Sequence, residues 1–447
     1  MKNINQYPAD YANKCRKLSS EICIICGINF KQMKRNLFLI IFILLSLSLF
    51  AKKLGKIDLA HIYDQKGFTQ IQAEVYHTSD TISTVYMNIR LKDFHYRHYL
   101  ESGIYKTRFK VFYKLYQDYE SKFPIDTATV FFSDTTGFDS EIEMIINFDV
   151  KAEFPRDYIL LVSLFDIYSE ETDPVQQIIE IDKSTYFSRQ NFLVKDSDGY
   201  LLFEKAIDTG QYFIIESNVP DSSELFIRYF KREFPLAKPP FSNVKQETYK
   251  FEPDSFYIVN MQSGESPLLE LPYQGIYHFQ KDITLDEGLT LFHFEQSFPK
   301  IETPLQAILP LRYLTTQKEY DKLISYQDKK MAVDSFWIQR ASGNSDRARK
   351  IIQKYYGRVQ KANQLFSSYQ EGWKTDRGLI YIIYGPPSEV YMKKGEEEWV
   401  YGERGNPLSI KFFFYESENP LTANDFRLQR SSSYQTSWYV AIENWRR

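Results

Sequence analysis

The sequence predicts a multidomain, mainly β protein: two antiparallel β-sandwich units of immunoglobulin-like architecture, followed by an α+β C-terminal module. Three observations carry this reading. Short segments of alternating polar and apolar residues, separated by polar turns, recur up to about Pro299. Beyond Pro299 the apolar residues recur at helical spacing instead. All five tryptophans (Trp337, Trp373, Trp399, Trp438 and Trp445) fall in that last third. The 34 Tyr and 35 Phe agree with a β-rich fold, because aromatic rings suit pleated surfaces. A chain of 447 residues also exceeds one ordinary core.

The N-terminal region reads as a targeting segment. Met33-Lys34-Arg35-Asn36 is basic, and Leu37 to Phe50 is an uncharged apolar run ending in Ala51, the layout of a signal peptide over 33–51. An uncleaved anchor is the other reading, and the only route by which this chain would engage a membrane. Residues 1–32 precede that complete leader and read as an over-extended start or a dispensable tail. All three cysteines lie there, with Cys23 and Cys26 at metal or redox spacing but without a second pair. Residues 1–51 hold seven Lys or Arg and two Asp or Glu, leaving 48 basic and 56 acidic residues, a net of −8. A mildly acidic chain argues against a nucleic-acid partner.

The first sandwich is expected over 55–186. Gln70–Tyr76, Thr84–Arg90, Arg108–Tyr116, Ala128–Phe132, Glu141–Phe148 and Tyr158–Phe165 are its strands. The second is expected over 190–299, with strands near Phe192–Val194, Tyr212–Glu216, Leu225–Phe230, Gly275–Phe279 and Thr290–Phe294. Phe234 to Phe241 holds three prolines and reads as a loop.

Residues 300–447 form the third unit. Lys318–Tyr326 and Lys329–Arg340 read as short helices, and Ser345-Asp346 as the cap of a long one. Its stripe of Ala348, Ile351, Ile352, Tyr355, Tyr356, Val359, Ala362, Asn363 and Phe366 reads as core. Gly372 fits a C-terminal stop. Strands are expected at Leu379–Tyr384, Trp399–Tyr401 and Ile410–Tyr415, and Trp438–Trp445 reads as a strand or a terminal helix.

Gly372-Trp373-Lys374-Thr375-Asp376 resembles the signature of the GWxTD-domain proteins of bacterial envelopes, as do Phe298-Pro299, Pro310 to Tyr313, Phe336-Trp337, Arg358-Val359, Ala362-Asn363, Arg377-Gly378, Tyr384 to Pro387 and Glu398 to Tyr401. The match covers about 295–447. Pro387-Ser388 departs from it, since the family more often has an acidic residue after a single proline. The resemblance implies an exported protein with β-sandwich units before the signature domain, and it implies no reaction. Gly372, Gly378, Gly385 and Pro386 are its structural residues.

The chemistry legible in the residues is sparse. All six histidines (His61, His77, His95, His98, His278 and His293) precede residue 294, so the signature module lacks the commonest general base. His95 and His98 could share a helix face, and His278 and His293 lie on separate strands; neither pair has a convincing third metal ligand. No metal, cofactor or catalytic residue is assigned. The sharpest polar residues are Asp376 and Arg377. They either hold a ligand together with Trp373, Thr375 and Trp399, or they lock the turn that launches a buried strand. Glu396 to Glu398 read as a solvated charge run. The sequence therefore points to an exported, non-enzymatic binding or assembly module for another protein or a cell-surface component, on the periplasmic or cell-surface side of the envelope. An exposed patch among Trp373, Trp399, Trp438 and Trp445 is its expected contact surface. The alternative is a hydrolase of envelope polysaccharide or peptide using Asp376 with a Glu of 396–398.

Overall fold

The computed structural model describes residues 53–447 apart from 64–70, 139–140, 171–173, 220–222, 232–233, 244–250, 296 and 404. The leader at 33–51 and the cysteine pair lie outside the described residues. The chain is mainly β, with several antiparallel sheets, and its helices are concentrated toward the C-terminus.

Eight strands build the first sandwich: β1 (Gln72–His77), β2 (Ile82–Arg90), β3 (Arg97–Tyr99), β4 (Ile104–Tyr116), β5 (Asp126–Asp134), β6 (Glu143–Lys151), β7 (Arg156–Asp166) and β8 (Val175–Lys183). One sheet has the order β1-β2-β6; the other runs β3-β4-β7-β8, with β5 also on β4. Alternation decides which side chains face in. Val85, Met87 and Ile89 of β2 and Ile146, Phe148 and Val150 of β6 meet Phe109, Val111 and Leu115 of β4 in one core. Strand β7 is apolar without alternation because both its faces are covered. Leu160, Val162 and Leu164 enter the sandwich core, while Ile159 and Leu161 join the core of the C-terminal module.

The second unit pairs β9 (Phe192–Asp196) with β10 (Phe213–Ser217). A four-stranded sheet, ordered β12-β11-β13-β14, is formed by β11 (Glu224–Phe230), β12 (Ser255–Asn260), β13 (Gly275–Gln280) and β14 (Leu289–His293). Phe213 and Ile215 from one sheet and Leu225, Ile227, Phe279 and Leu291 from the other share a core.

The C-terminal module opens with α1 (Pro304–Ile308), α2 (Gln317–Ser325), α3 (Lys329–Arg340) and α4 (Ser345–Phe366). Asn344, not Ser345, caps α4 by accepting from the Arg347 amide at 2.9 Å. The expected stripe is core: Ala348, Tyr355, Val359, Ala362, Asn363 and Phe366 are buried. A four-stranded antiparallel sheet follows in chain order: β15 (Glu389–Lys393), β16 (Glu396–Tyr401), β17 (Ile410–Glu416) and β18 (Phe426–Leu428). Helix α6 (Gln435–Arg446) ends the chain and settles the Trp438–Trp445 alternative as helix.

Two expectations fail here. Leu379–Tyr384 is not a strand but most of helix α5 (Asp376–Tyr384). An apolar run of this length has no period that separates a buried strand from a buried helix, and α5 is buried on all sides. Its ends decide the matter. Thr375 caps the first turn, and Gly385, at φ 94°, ends the last. Gly372 does not stop α4, which ends six residues earlier at Phe366. It is a close-approach glycine: a Cβ there would lie 1.9 Å from the Ala362 carbonyl oxygen.

The segment 53–63 is a strap between the first sandwich and the C-terminal module. The Gly55 amide donates to the Tyr119 carbonyl (2.8 Å) and the Leu59 amide to the Val390 carbonyl (2.9 Å). Asp58 Oδ1 accepts from the Ala60 and Val390 amides. Leu54, Leu59 and Tyr63 are buried in the core of the C-terminal module.

Candidate functional site

The signature residues form a buried network around the start of α5. Gly372–Lys374 make a 3-10 turn, and Thr375 joins the turn to the helix: its hydroxyl donates to the Gly372 carbonyl (2.8 Å) and accepts from the Gly378 amide (3.1 Å). A Cβ at Gly378 would stand 1.9 Å from the Gly372 carbonyl oxygen, so both glycines are required by contact distance. Trp373 is buried. Its amide donates to Asn363 Oδ1 (3.0 Å), its carbonyl accepts from the Tyr313 hydroxyl (3.0 Å), and its ring meets Tyr313 edge-on. Gly385 has a comparable constraint at the far end, where a Cβ would fall 2.4 Å from the Arg358 guanidinium. Pro386 follows it and stops the helix.

Each charged residue of the signature has its counter-charge inside the protein. Asp376 accepts from the Leu428 amide (2.9 Å) and from both terminal nitrogens of Arg430, a two-pronged carboxylate–guanidinium pair. It also sits in the first turn of α5, where the helix dipole favours a negative charge. Arg377 donates to Glu397 Oε1 (2.7 Å) and to the Asn424 carbonyl (3.0 Å), and its guanidinium lies 4.3 Å from the Phe426 ring centre. Glu397 is buried in β16 and accepts further hydrogen bonds from the Tyr63 hydroxyl (3.1 Å) and from Trp399 Nε1 (2.9 Å). Burial, reinforced by the Glu397 carboxylate, holds the Tyr63 phenol well above its ordinary pKa, so it stays a donor. The Tyr63 ring packs on Phe366 and Trp399, and its carbonyl accepts from Tyr381.

The residues expected to bind a ligand, Trp373, Thr375, Asp376, Arg377 and Trp399, are thus brought together, but in the interior. Each is less than 9% exposed. The expected tryptophan patch does not exist: Trp438 and Trp445 are buried too, and Trp445 Nε1 donates to the Ile383 carbonyl. Indoles carry large apolar areas, and this module spends them on its core. Glu396 to Glu398 are likewise not a solvated run. They lie within β16, whose alternation sends Glu397 inward beside Trp399. Asp376 and Glu397 are both buried and paired, so neither carboxylate faces an open cleft.

Three partners in this network carried no local sequence signal: Arg430, Asn424 and Tyr63. Tyr63 lies 334 positions from Glu397.

The histidines are held in the β units. His95 is in a loop on Asp166, and His98 is on β3, so the shared helix face does not form. His278 contacts Thr290 Oγ1 (2.8 Å) and the Asp286 carbonyl; His293 contacts Thr209 Oγ1 (3.0 Å). No group of three or more His, Cys, Asp or Glu among the described residues could hold a metal ion. His77 contacts Ser83 Oγ (2.9 Å), and Lys183 donates to the same oxygen (3.2 Å). The arrangement looks like a nucleophile with its base, but all three side chains are sealed, at 3% exposure or less. Burial drives His77 down to about 4 and Lys183 down to about 8.

Fold and site together define a class: a β-sandwich protein whose C-terminal α+β module has a signature that holds architecture. Residues 275–447 match the GWxTD domain family, so the chain carries a GWxTD domain. Comparison with curated proteins found no match. Among solved structures, red sea bream transglutaminase is similar at 11% identity over 52% of this chain and 33% of its own, with a TM-score of 0.18. CBD12 from CALX1.2 is similar at 10% identity over 53% of this chain and 83% of its own, with a TM-score of 0.13. The chain thus spans about a third of the transglutaminase.

Proposed function

We propose that this is an exported, non-enzymatic binding or assembly protein of a bacterial envelope, recognising another protein or a cell-surface component. The observation that carries the reading is the hairpin of β3 and β4 at one end of the first sandwich. Tyr99, Leu100, Ile104 and Tyr105 are all exposed there, Leu100 at 88%. Phe138 extends the patch by stacking on Tyr105, with ring centres 4.0 Å apart. The turn itself is the polar Glu101-Ser102-Gly103, and the exposed apolar and aromatic side chains that flank it on both strands suit a contact surface. Sequestration of Asp376 and Glu397 in internal pairs counts against the hydrolase alternative, and the basic, apolar layout of Met33–Ala51 supports export.

The test is cross-linked affinity capture of the full chain from its own envelope, in wild type and in the double variant Leu100→Ser/Tyr105→Ser. A reproducible partner captured by the wild type and lost from a normally folded variant is the expected result. Recovery of the protein alone, or equal capture by the variant, rejects the reading.

A further inference from the structure

Residues of all three units line a partly open cavity of about 600 Å³, within the usual size range of small-molecule sites. The β1-β2-β6 sheet forms one wall, the segment 201–211 between β9 and β10 another, and α4 with the Phe298-Pro299 turn a third. The GWxTD signature supports that third wall. Asn363 receives the Trp373 amide on its oxygen and donates its nitrogen to the Pro299 carbonyl at 3.1 Å.

The composition of the lining selects a ligand. Seven Asn or Gln side chains line the cavity, with four carboxylates and two cations. An amide both donates and accepts, which matches a hydroxyl group and not a fixed charge. Two of these amides, Asn88 and Gln177, carry buried oxygens that accept no hydrogen bond from a described group, an unmet demand in the cavity lining. Phe203, Phe294 and Phe298 are only partly buried and offer ring surface to the cavity.

The ionisable groups are unsuited to a charged ligand. Arg90 is already held by Asp93 at 2.8 Å, and Glu143 accepts from Asn88. The Lys205 amine has no hydrogen bond to a described residue, and burial, with Arg189 nearby, drives it down to about 7. Glu204 is pushed the other way, toward the neutral acid, by burial and by Asp208 and Glu143. Lys205 and Glu204, both moved toward neutrality, provide hydrogen bonds rather than a counter-ion.

We propose that this junction cavity binds a neutral oligosaccharide, with the phenylalanines against the C–H faces of the sugar rings and the amides on its hydroxyls. The cavity and the hairpin tip are built from different residues, so the two readings can fail separately. Isothermal titration of the full chain would use maltohexaose, cellohexaose, xylohexaose, mannohexaose and chitohexaose, with inorganic phosphate and spermidine as charged probes. At least one neutral hexaose should bind, and Phe203→Ala and Gln177→Leu should each weaken it about tenfold or more. Gln364→Ala, at an exposed position on the cavity rim, should weaken it without any risk to folding. Leu100→Ser/Tyr105→Ser should leave it unchanged. The proposal is overturned if no hexaose binds, if phosphate or spermidine binds in preference, or if binding survives Gln364→Ala together with every folded cavity variant.

Discussion

The start of α5 and the junction cavity are both rich in polar side chains, yet they are opposite kinds of site. Around α5 each carboxylate of the signature network meets a guanidinium: Asp376 has Arg430, and Glu397 has Arg377. Amides, a phenol and an indole supply the remaining hydrogen bonds. Around the cavity, two amide oxygens and one lysine amine lack described partners. The difference teaches how to read a conspicuous motif. A signature whose carboxylates are each paired internally is spent on architecture, even with Arg430 Nε left without a described partner, whereas unpartnered amides beside a cavity leave a ligand room to supply the missing bonds.

The largest effect should come from the strap. Tyr63→Ala removes a buried ring from between Phe366 and Trp399 and leaves Glu397 one donor short. It should cost about 3–5 kcal/mol in denaturant unfolding of the full chain. A loss below about 1 kcal/mol would show that the strap is an accessory and that the module is complete without it.

Next comes pH. His77 and His278 have folded pKa values lowered to about 4, chiefly by burial, against about 6.5 for an unperturbed imidazole. The unfolded chain therefore takes up protons first as pH falls. Stability is fully present above pH 6.5 and is lost progressively down to pH 4, by on the order of 3 kcal/mol per histidine. Because carboxylates titrate in the same range, the measurement is the difference between wild type and His278→Gln. That difference should shrink as pH falls from 7 to 4, and a constant difference would contradict the assignment.

A smaller effect is expected at Asp376→Asn, which keeps the shape but weakens the bonds to Arg430 and the Leu428 amide. Unfolding should report a loss of about 1.5–3 kcal/mol, with binding of any cavity ligand unchanged. Loss of ligand binding at full stability would move Asp376 from the architectural region to the functional one.

Much of the fold was legible in the sequence because half-buried strands carry their burial pattern with them. β2, β4 and β6 alternate, and their apolar positions are the ones inside. Helix α5 was not legible, since a segment buried all round has no polar face to reveal its period. Its cap was visible in Thr375, and the Gly385-Pro386 stop was equally visible, so the end signals outweighed the run between them. Glu397 was recoverable in principle: it stands two residues from Trp399, and on a strand that spacing puts both on one face. Tyr63 was not recoverable. Nothing near residues 53–63 announces that they complete a core most of whose other members lie beyond residue 300. The cavity was equally invisible, because its walls come from segments far apart in the chain.

The central claim is that the signature of this GWxTD domain holds the module together through its internal charge pairs. A double-mutant cycle on Arg377→Met and Glu397→Leu, followed by denaturant unfolding of the full chain, tests it most directly. Each single change strands a buried charge and should cost about 3–5 kcal/mol, whereas the double variant should recover most of the loss. Singles that unfold like wild type while losing the captured partner or the bound ligand would contradict the account and make the pair a working site.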